Sequence, residues 1–331
     1  LNYDYQVEAV PPLLAEIESL VGNKSGSEQV RGELAACRGY LFWLMGNGAE
    51  SLQQLDVGLE RIPVSHVEFR SNAELVFAQA TQMVGRKEEG LRFLDDLLAH
   101  SESLEAMREF RLLIARVFIH VVAGDLLGAE LANRRMWALV KHGSPAYVRI
   151  WTGYMQGVIH LQRCEWEAAV EHLGRSAANR FIHHARAAVD SMAGLMLAHQ
   201  ALGREEEARA ALETLNEYVT PLGDPAMESL ALSAEARLAI LQGQSEVARR
   251  WVEASEPPPE GAWLWWVDIS SITRCRAMMA VSSRGGLVRA EAKLRESAEV
   301  AEAQHNICHL IRVLTLLAMA QEGQGLSLIH I

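Results

Sequence analysis

The sequence predicts an all-α solenoid of helical hairpins, and three observations carry that reading. Ala, Leu, Glu and Arg dominate its 331 residues, only 6% are aromatic, and strong helix formers therefore outweigh strand formers. All nine prolines fall at residues 11, 12, 63, 145, 221, 225 and 257–259, leaving long proline-free stretches that suit helix interiors. A turn signature recurs: a Gly, a small residue five positions later, and an apolar residue four after that. It reads Gly46–Ser51–Leu55, Gly85–Gly90–Leu94, Gly203–Ala208–Leu212, Gly243–Ala248–Val252 and Gly285–Ala290–Leu294. Two further copies differ at one place each, with Asn133 in Gly124–Ala129–Asn133 and Cys164 in Cys164–Ala169–Leu173. The turns stand 39, 39, 40, 39, 40 and 42 residues apart, and Gly325 extends the series by another 40. A period of that length marks a repeat architecture.

Each offset has a physical reason. A Gly just past a helix end takes the left-handed conformation that satisfies orphaned carbonyls. The polar turn that follows, such as Arg204-Glu205-Glu206-Glu207, places acids at the next helix N-terminus. The small residue lets the second helix approach the first, and the apolar residue one turn on fills the seam. First helices are expected near 28–45, 66–84, 105–123, 146–162, 183–201, 226–242, 264–283 and 306–322. Second helices are expected near 49–61, 87–99, 126–141, 166–178, 205–218, 245–254 and 286–303, with 7–21 as the second half of a further hairpin. Pro11 and Pro12 fit its first turn, where a missing amide donor costs little. The Asn47-Gly48 pair lacks alternating flanks and sits in the repeat frame, which excludes a β-hairpin there. Residues 1–325 thus read as one continuous array of about seven and a half hairpins.

The pattern resembles the tetratricopeptide repeat, with Ser51, Leu55, Gly58 and Pro63 at that family's second-helix places and Gly39 and Phe42 at its Gly and Tyr places. The period is longer than that family's, and its Trp and Leu are mostly missing. A hairpin repeat of 39–40 residues, with stretches such as 195–215 and 235–254, resembles the sensor region of large LuxR-type, ATP-dependent transcriptional regulators. The resemblance implies a right-handed superhelix in the cytoplasm that binds a small-molecule inducer or protein partner. It would relay that event to separate ATPase and helix-turn-helix DNA-binding domains. Neither domain is visible: Gly22-Asn23-Lys24-Ser25 lacks the spacing of a phosphate loop, and no basic recognition helix occurs. The chain begins Leu-Asn-Tyr-Asp, and the expectation is the middle of a longer protein. The alternative is a stand-alone adaptor that binds protein segments. Residues 326–331, Leu-Ser-Leu-Ile-His-Ile, break the repeat and are expected to be a non-native or disordered tail. Without a partner helix, Ile307, Leu310, Ile311, Leu314 and Leu317 are expected to face water.

The composition excludes several functions. A net charge of −11 argues against direct nucleic-acid binding, which needs a basic face. No apolar run reaches the ~20 residues of a membrane span. The four cysteines are scattered, which suits free thiols in a reducing compartment. No cofactor is implied for this segment. His120, His160 and His199 recur four residues before their turns, and packing within the hairpin is the expected role. Stacked units hold such side chains ~10 Å apart, too far to share one zinc at ~2.1 Å. His305, Cys308 and His309 share a helix face but lack a fourth ligand, so no metal site is expected. An enzyme is not expected either. The inward carboxylates Glu33 and Asp190 lie four units apart, ~40 Å at ~10 Å per unit, where glycoside hydrolysis needs ~5–9.5 Å.

Transferring the family's groove positions to this sequence gives the candidate ligand-binding residues Tyr40, Trp43, Arg111, Trp151, Tyr154, Asp190 and Arg237. Glu33, Asn72, Gln79, Gln82 and Gln200 fall at the same positions in other units. Aromatics, amides and a few charges suit a sugar, a peptide or another polar ligand. Trp151 and Tyr154, one turn apart, mark units four to six as the centre of the groove. Trp263, Trp265 and Trp266 are expected to staple the Pro257–Pro259 loop to the core. The repeat predicts a circular-dichroism spectrum of more than about 70% helix, against ~30–35% for an average domain; a substantial β signal contradicts it.

Overall fold

The computed structural model describes residues 10–22, 27–99, 105–140, 144–182, 184–254, 267–281 and 284–325. Helices take up 85% of these residues and none is in a strand. The first eight helices are α1 (Val10–Val21), α2 (Glu28–Leu44), α3 (Gly48–Arg61), α4 (Val67–Met83), α5 (Lys87–Leu98), α6 (Ala106–Val122), α7 (Leu126–Leu139) and α8 (Ala146–Gln162). They are followed by α9 (Trp166–Ala178), α10 (Ala185–Ala201), α11 (Glu205–Val219), α12 (Pro225–Leu241), α13 (Ser245–Ala254), α14 (Ser270–Ala280), α15 (Arg284–Ala303) and α16 (Ile307–Gly323). Most ends fall within two residues of the expected ones. Two readings, the loop tryptophans Trp263, Trp265 and Trp266 and the tail 326–331, lie outside the described residues.

The turns behave as their chemistry requires. Gly46, Gly85, Gly124, Gly203, Gly243 and Gly325 all have φ between +72° and +82°. Cys164 takes the same left-handed conformation at φ +59° despite its side chain. At each internal turn the next amide reaches back five residues, as in Asn47 to Phe42 O (2.8 Å), Glu165 to His160 O (3.0 Å) and Gln244 to Ala239 O (2.7 Å). That bond closes the orphaned end of the first helix.

The small residue after each turn is buried without exception. Ser51, Ala129, Ala169, Ala208, Ala248 and Ala290 are 0% exposed, and Gly90 is buried as well. The residue four further on is fully buried at Leu55, Leu94, Asn133, Leu173 and Leu294 and half-buried at Leu212 and Val252. At the α2–α3 contact Ser51 Oγ donates to Gly39 O at 2.7 Å. A Cβ at Gly39 would stand 2.6 Å from Leu55 Cγ, so only Gly fits this approach. Asn133, the polar exception, donates from Nδ2 to Thr152 O at 3.3 Å, which explains a buried amide at an apolar place.

The chain forms two compact units, residues 1–152 with 303–305, and residues 153–302 with 306–331. In the first, α3 packs on α2 and α4, α4 on α5 and α6, and α6 on α7. Glu74 is buried there, accepting from Arg108 (2.6 and 2.9 Å) and Arg70 (3.2 Å), an ion group that the periodicity alone did not mark. In the second, α10 packs on α9, α11 and α12, and α12 on α13 and α14. A core of Ile269, Ile272, Cys275, Met278, Ala290, Leu294, Val313 and Leu316 joins α14, α15 and α16.

Three expectations are corrected. Gly285 lies inside α15 rather than at a left-handed turn, because α14 ends at Ala280 and α15 begins at Arg284. The α14–α15 connection therefore comes earlier, closer to the spacing of the other turns. The helix expected from 264 begins only at Ser270, because Val267 and Asp268 are held by bonds to side chains instead. On α16, Ile307, Ile311 and Leu314 are exposed as expected, whereas Leu310 and Leu317 are half-buried against the α14–α15 core.

The seam sets a packing test. Ala169→Leu or Ala208→Leu forces bulk into a contact with no free space and is expected to cost ~1–3 kcal/mol. Glu206→Leu, at an exposed position, is expected to cost under ~0.5 kcal/mol. Chemical denaturation that ranks Glu206→Leu as the worst of the three contradicts the register.

Candidate functional site

The first helices carry the polar side chains that a ligand could use, and the two units treat them differently. In the first unit, α2 presents Glu33, Tyr40 and Trp43. The Tyr40 and Trp43 rings lie 5.6 Å apart, and Trp43 lies 5.9 Å from the Phe118 ring of α6. The Trp43–Phe118 contact joins first helices two hairpins apart. Between them in sequence, α4 contributes Gln79 and Gln82, both 3% exposed. Gln82 Nε2 donates to the backbone O of His305 at 3.0 Å.

Trp43 Nε1, Gln79 Oε1 and Gln82 Oε1 have no hydrogen-bond partner among the described residues. A buried polar atom left in that state costs roughly 1–3 kcal/mol, so three on neighbouring first helices call for an explanation. Chemically the two helices offer one N–H donor beside aromatic rings on α2 and two amide acceptors on α4. That set suits a neutral molecule that carries both donors and acceptors.

The other first-unit candidates are engaged within the chain. Glu33 accepts from Gln29 at 2.8 Å and stands 2.9 Å from His66 Nδ1. Arg111 donates to Ser71 Oγ at 2.9 Å and pairs with Glu68. Asn72 is exposed and donates to Glu68 O at 2.9 Å. Trp151 is half-buried, its ring 6.0 Å from that of Tyr147, which lies 6.1 Å from Phe110.

In the second unit Tyr154, Asp190 and Arg237 come together, but around the protein's own backbone. Tyr154, 0% exposed, donates to Asp190 Oδ2 at 2.7 Å. Asp190 Oδ1 accepts from the Val267 N–H at 3.1 Å, and Arg237 donates to Val267 O at 2.7 Å. Arg237 also donates to Asp268 Oδ1 at 3.2 Å, where Thr273 Oγ1 donates at 2.7 Å and Ser233 Oγ donates to Oδ2 at 2.5 Å. Burial lowers the pKa of Arg237, while Asp268 opposes that shift. Val267 and Asp268 thus take up the polar groups that the sequence assigned to an open groove. Partners 77 residues apart, such as Asp190 and Val267, leave no trace in a local pattern. Gln200 accepts from Gln242 at 2.9 Å.

The recurrent histidines pack within their hairpins. His120 Nδ1 lies 2.9 Å from Asp125, and His160 Nδ1 lies 2.5 Å from Glu165, each acid five residues on. His199 has Arg204 at that place, and its Nδ1 has no partner among the described residues. His160 also stacks on His172, centroids 5.4 Å apart. Among the described residues no three His, Cys, Asp or Glu side chains are placed to hold a metal ion, and no helix is long and apolar enough to cross a membrane. The chain matches no family model, and no curated protein matches it in sequence.

Histidine burial sets a pH dependence. Burial, with Arg186 nearby, pushes the His184 imidazole down to about 4 from an ordinary 6.5. His120, His172 and His199 are lowered too, chiefly by burial. Between these values the unfolded chain binds more protons than the folded one, so stability falls as pH falls. Stability is expected to be full above pH 7 and lower at pH 5, by about 1–2 kcal/mol from His184 alone. His184→Asn should flatten the profile in denaturant titrations; stability that rises from pH 7 to pH 5 contradicts the assignment.

Proposed function

We propose that the chain is the effector-sensing solenoid of a LuxR-type, ATP-dependent transcriptional regulator in the cytoplasm, and not an enzyme. In this reading tetratricopeptide-like hairpins stack into a right-handed superhelix whose first helices bind an inducer or partner. One observation carries the site: Trp43 Nε1, beside the Tyr40 and Phe118 rings, and Gln79 Oε1 and Gln82 Oε1 on the next first helix are buried with no partner among the described residues. A ligand that satisfies them gains hydrogen bonds at groups whose desolvation has already been met in folding. Such a ligand shifts the regulator only if it binds the active state more tightly than the resting one. The even hairpin period and the left-handed turns support the repeat reading. The net charge of −11 is consistent with DNA contacts lying in another domain.

A second reading, an adaptor for protein segments, is favoured by the way α10 and α12 hold Val267 by both its N–H and its C=O. First helices that clasp one extended segment have the chemistry to clasp another.

The test uses the full-length protein. Gln79→Leu and Trp43→Phe remove unpaired polar atoms and keep much of the bulk. Each is expected to leave thermal stability unchanged or raised by about 1 kcal/mol while abolishing signal-dependent transcription. An unchanged response rejects the site. A reading frame without an upstream phosphate loop and a downstream helix-turn-helix rejects the regulator reading and leaves the adaptor.

A further inference from the structure

Two helices carry an apolar stripe that no other helix among the described residues covers, and each stripe has a covered counterpart inside the repeat. The α2–α3 hairpin defines both sides of that seam. From α3, Ser51 Oγ donates to Gly39 O at 2.7 Å, Leu55 packs on Gly39, and Gly58 lies against Ala36 and Gly32 of α2. From α2, Gly32, Ala35 and Gly39 stand fourteen, eleven and seven residues before the turn at Gly46, and all three are buried. The place seven before the turn is also buried at Ala78, Val117, Gly157, Met196 and Ala236. At Gly157 it again meets the second helix, where a Cβ would stand 2.6 Å from Leu173.

α16 presents the first-helix side of this seam uncovered. Ile311, Leu314 and Ala318 stand fourteen, eleven and seven residues before Gly325, which shares the left-handed conformation of the internal turns. Ile311 is 58% exposed and Leu314 45%, and Ile307, one turn earlier, is exposed with them. α1 presents the second-helix side. Leu13, Ile17 and Leu20 stand 38 residues before Ser51, Leu55 and Gly58, close to the repeat period, and all three are exposed. Val10 and Leu14 stand 38 residues before Gly48 and Leu52, and Leu14 is buried. Gly48 is where α3 meets the end of α4, at Met83 and Val84, so α1 turns to α2 the side that α3 turns to α4. The Glu18–Arg38 ion pair, and Arg31 donating to Gly22 O at 2.8 Å, hold it there.

We propose that the two stripes meet between molecules: α1 of one copy docks on α16 of a second copy and completes a hairpin in trans. The occupant is a second copy because the chain carries both halves of an interface that it repeats internally. Leu13–Ile17–Leu20 and Ile307–Ile311–Leu314 each follow the i, i+4, i+7 spacing of one helix face, and joining them removes both from water. The two faces differ, so the contact is heterologous. Each copy then keeps one face for a further copy, and association proceeds to a ring or an open chain. Leu13 and Leu20 take the places of Ser51 and Gly58, and Ile311 and Leu314 those of Gly32 and Ala35. The helices therefore meet at the wide end of the ~8–10 Å range for packed helices. That makes the contact looser and more readily exchanged than the internal seam.

Analytical ultracentrifugation of the 331-residue chain tests this. The average mass is expected to exceed that of one chain and to rise with concentration up to about 100 μM. Ile17→Lys on α1 and Ile311→Lys on α16 each place a charge in the contact and should weaken self-association by about tenfold or more. Both positions are exposed, so each variant should keep the parental helicity. Mixed together, the two variants still have one intact face each and should form a two-chain species that grows no further. Leu20→Lys and Leu314→Lys provide a second pair if either of the first folds poorly. A parent chain that stays monomeric throughout overturns the proposal and leaves both faces to other helices of a longer protein. A single variant that still self-associates overturns it as well, because its remaining face then pairs with itself. So does a mixture that stays monomeric. These faces are separate from Trp43, Gln79 and Gln82, so either outcome leaves the first-unit reading to its own test.

Discussion

The structure depends on one contact repeated seven times: the small residue that sits between the two helices of a hairpin. A helix carries orphaned groups at both ends and an apolar stripe along its side, and it is marginal alone. The left-handed turn residue reverses the chain within three residues. The Ser, Gly or Ala five positions later, in the six hairpins with such a turn residue, then decides how closely the second helix lies on the first. Full burial of that position in every hairpin means that no larger side chain has been accommodated there by local spreading. At Gly39 and Leu55 the same demand appears from the other helix, where the missing Cβ is the space that the leucine fills.

Because the seam is apolar and tight, polarity is displaced to the first helices' other face, and there the two units diverge. In the second, Asp190, Ser233, Arg237 and Thr273 bond to Val267 and Asp268, and Tyr154 bonds to Asp190, so a segment of the chain serves as their ligand. In the first, Trp43, Gln79 and Gln82 keep unsatisfied atoms. Buried polar groups are normally paired, and the three unpaired atoms on α2 and α4 are the basis of the proposed effector site.

Much of the fold was legible because its determinants are local. Turn residues, the five-residue offset and proline placement all act within one hairpin, and among the described residues fifteen of the sixteen α-helices lie where those signals put them. The site was legible only in part. Tyr154, Asp190 and Arg237 do lie together, yet Tyr154 is core and the group faces Val267, because burial of a first helix on several sides erases the distinction between seam and groove. α10 illustrates this: Asp190, Ser191 and most of its apolar residues are buried alike. The start of α14 was misplaced because long-range bonds override helix propensity at Val267 and Asp268.

The central claim is that a turn-to-turn block is a complete structural unit, and removing one block tests it most directly. Deleting residues 125–164 joins Gly124 to Glu165 and takes out one period of 40 residues. The account predicts a shortened protein with the same fractional helicity by circular dichroism and a cooperative thermal transition. A control deletion of 125–151, out of register, should lose both. If the in-register deletion proves no better folded than the control, the hairpins are not equivalent units and the account is wrong.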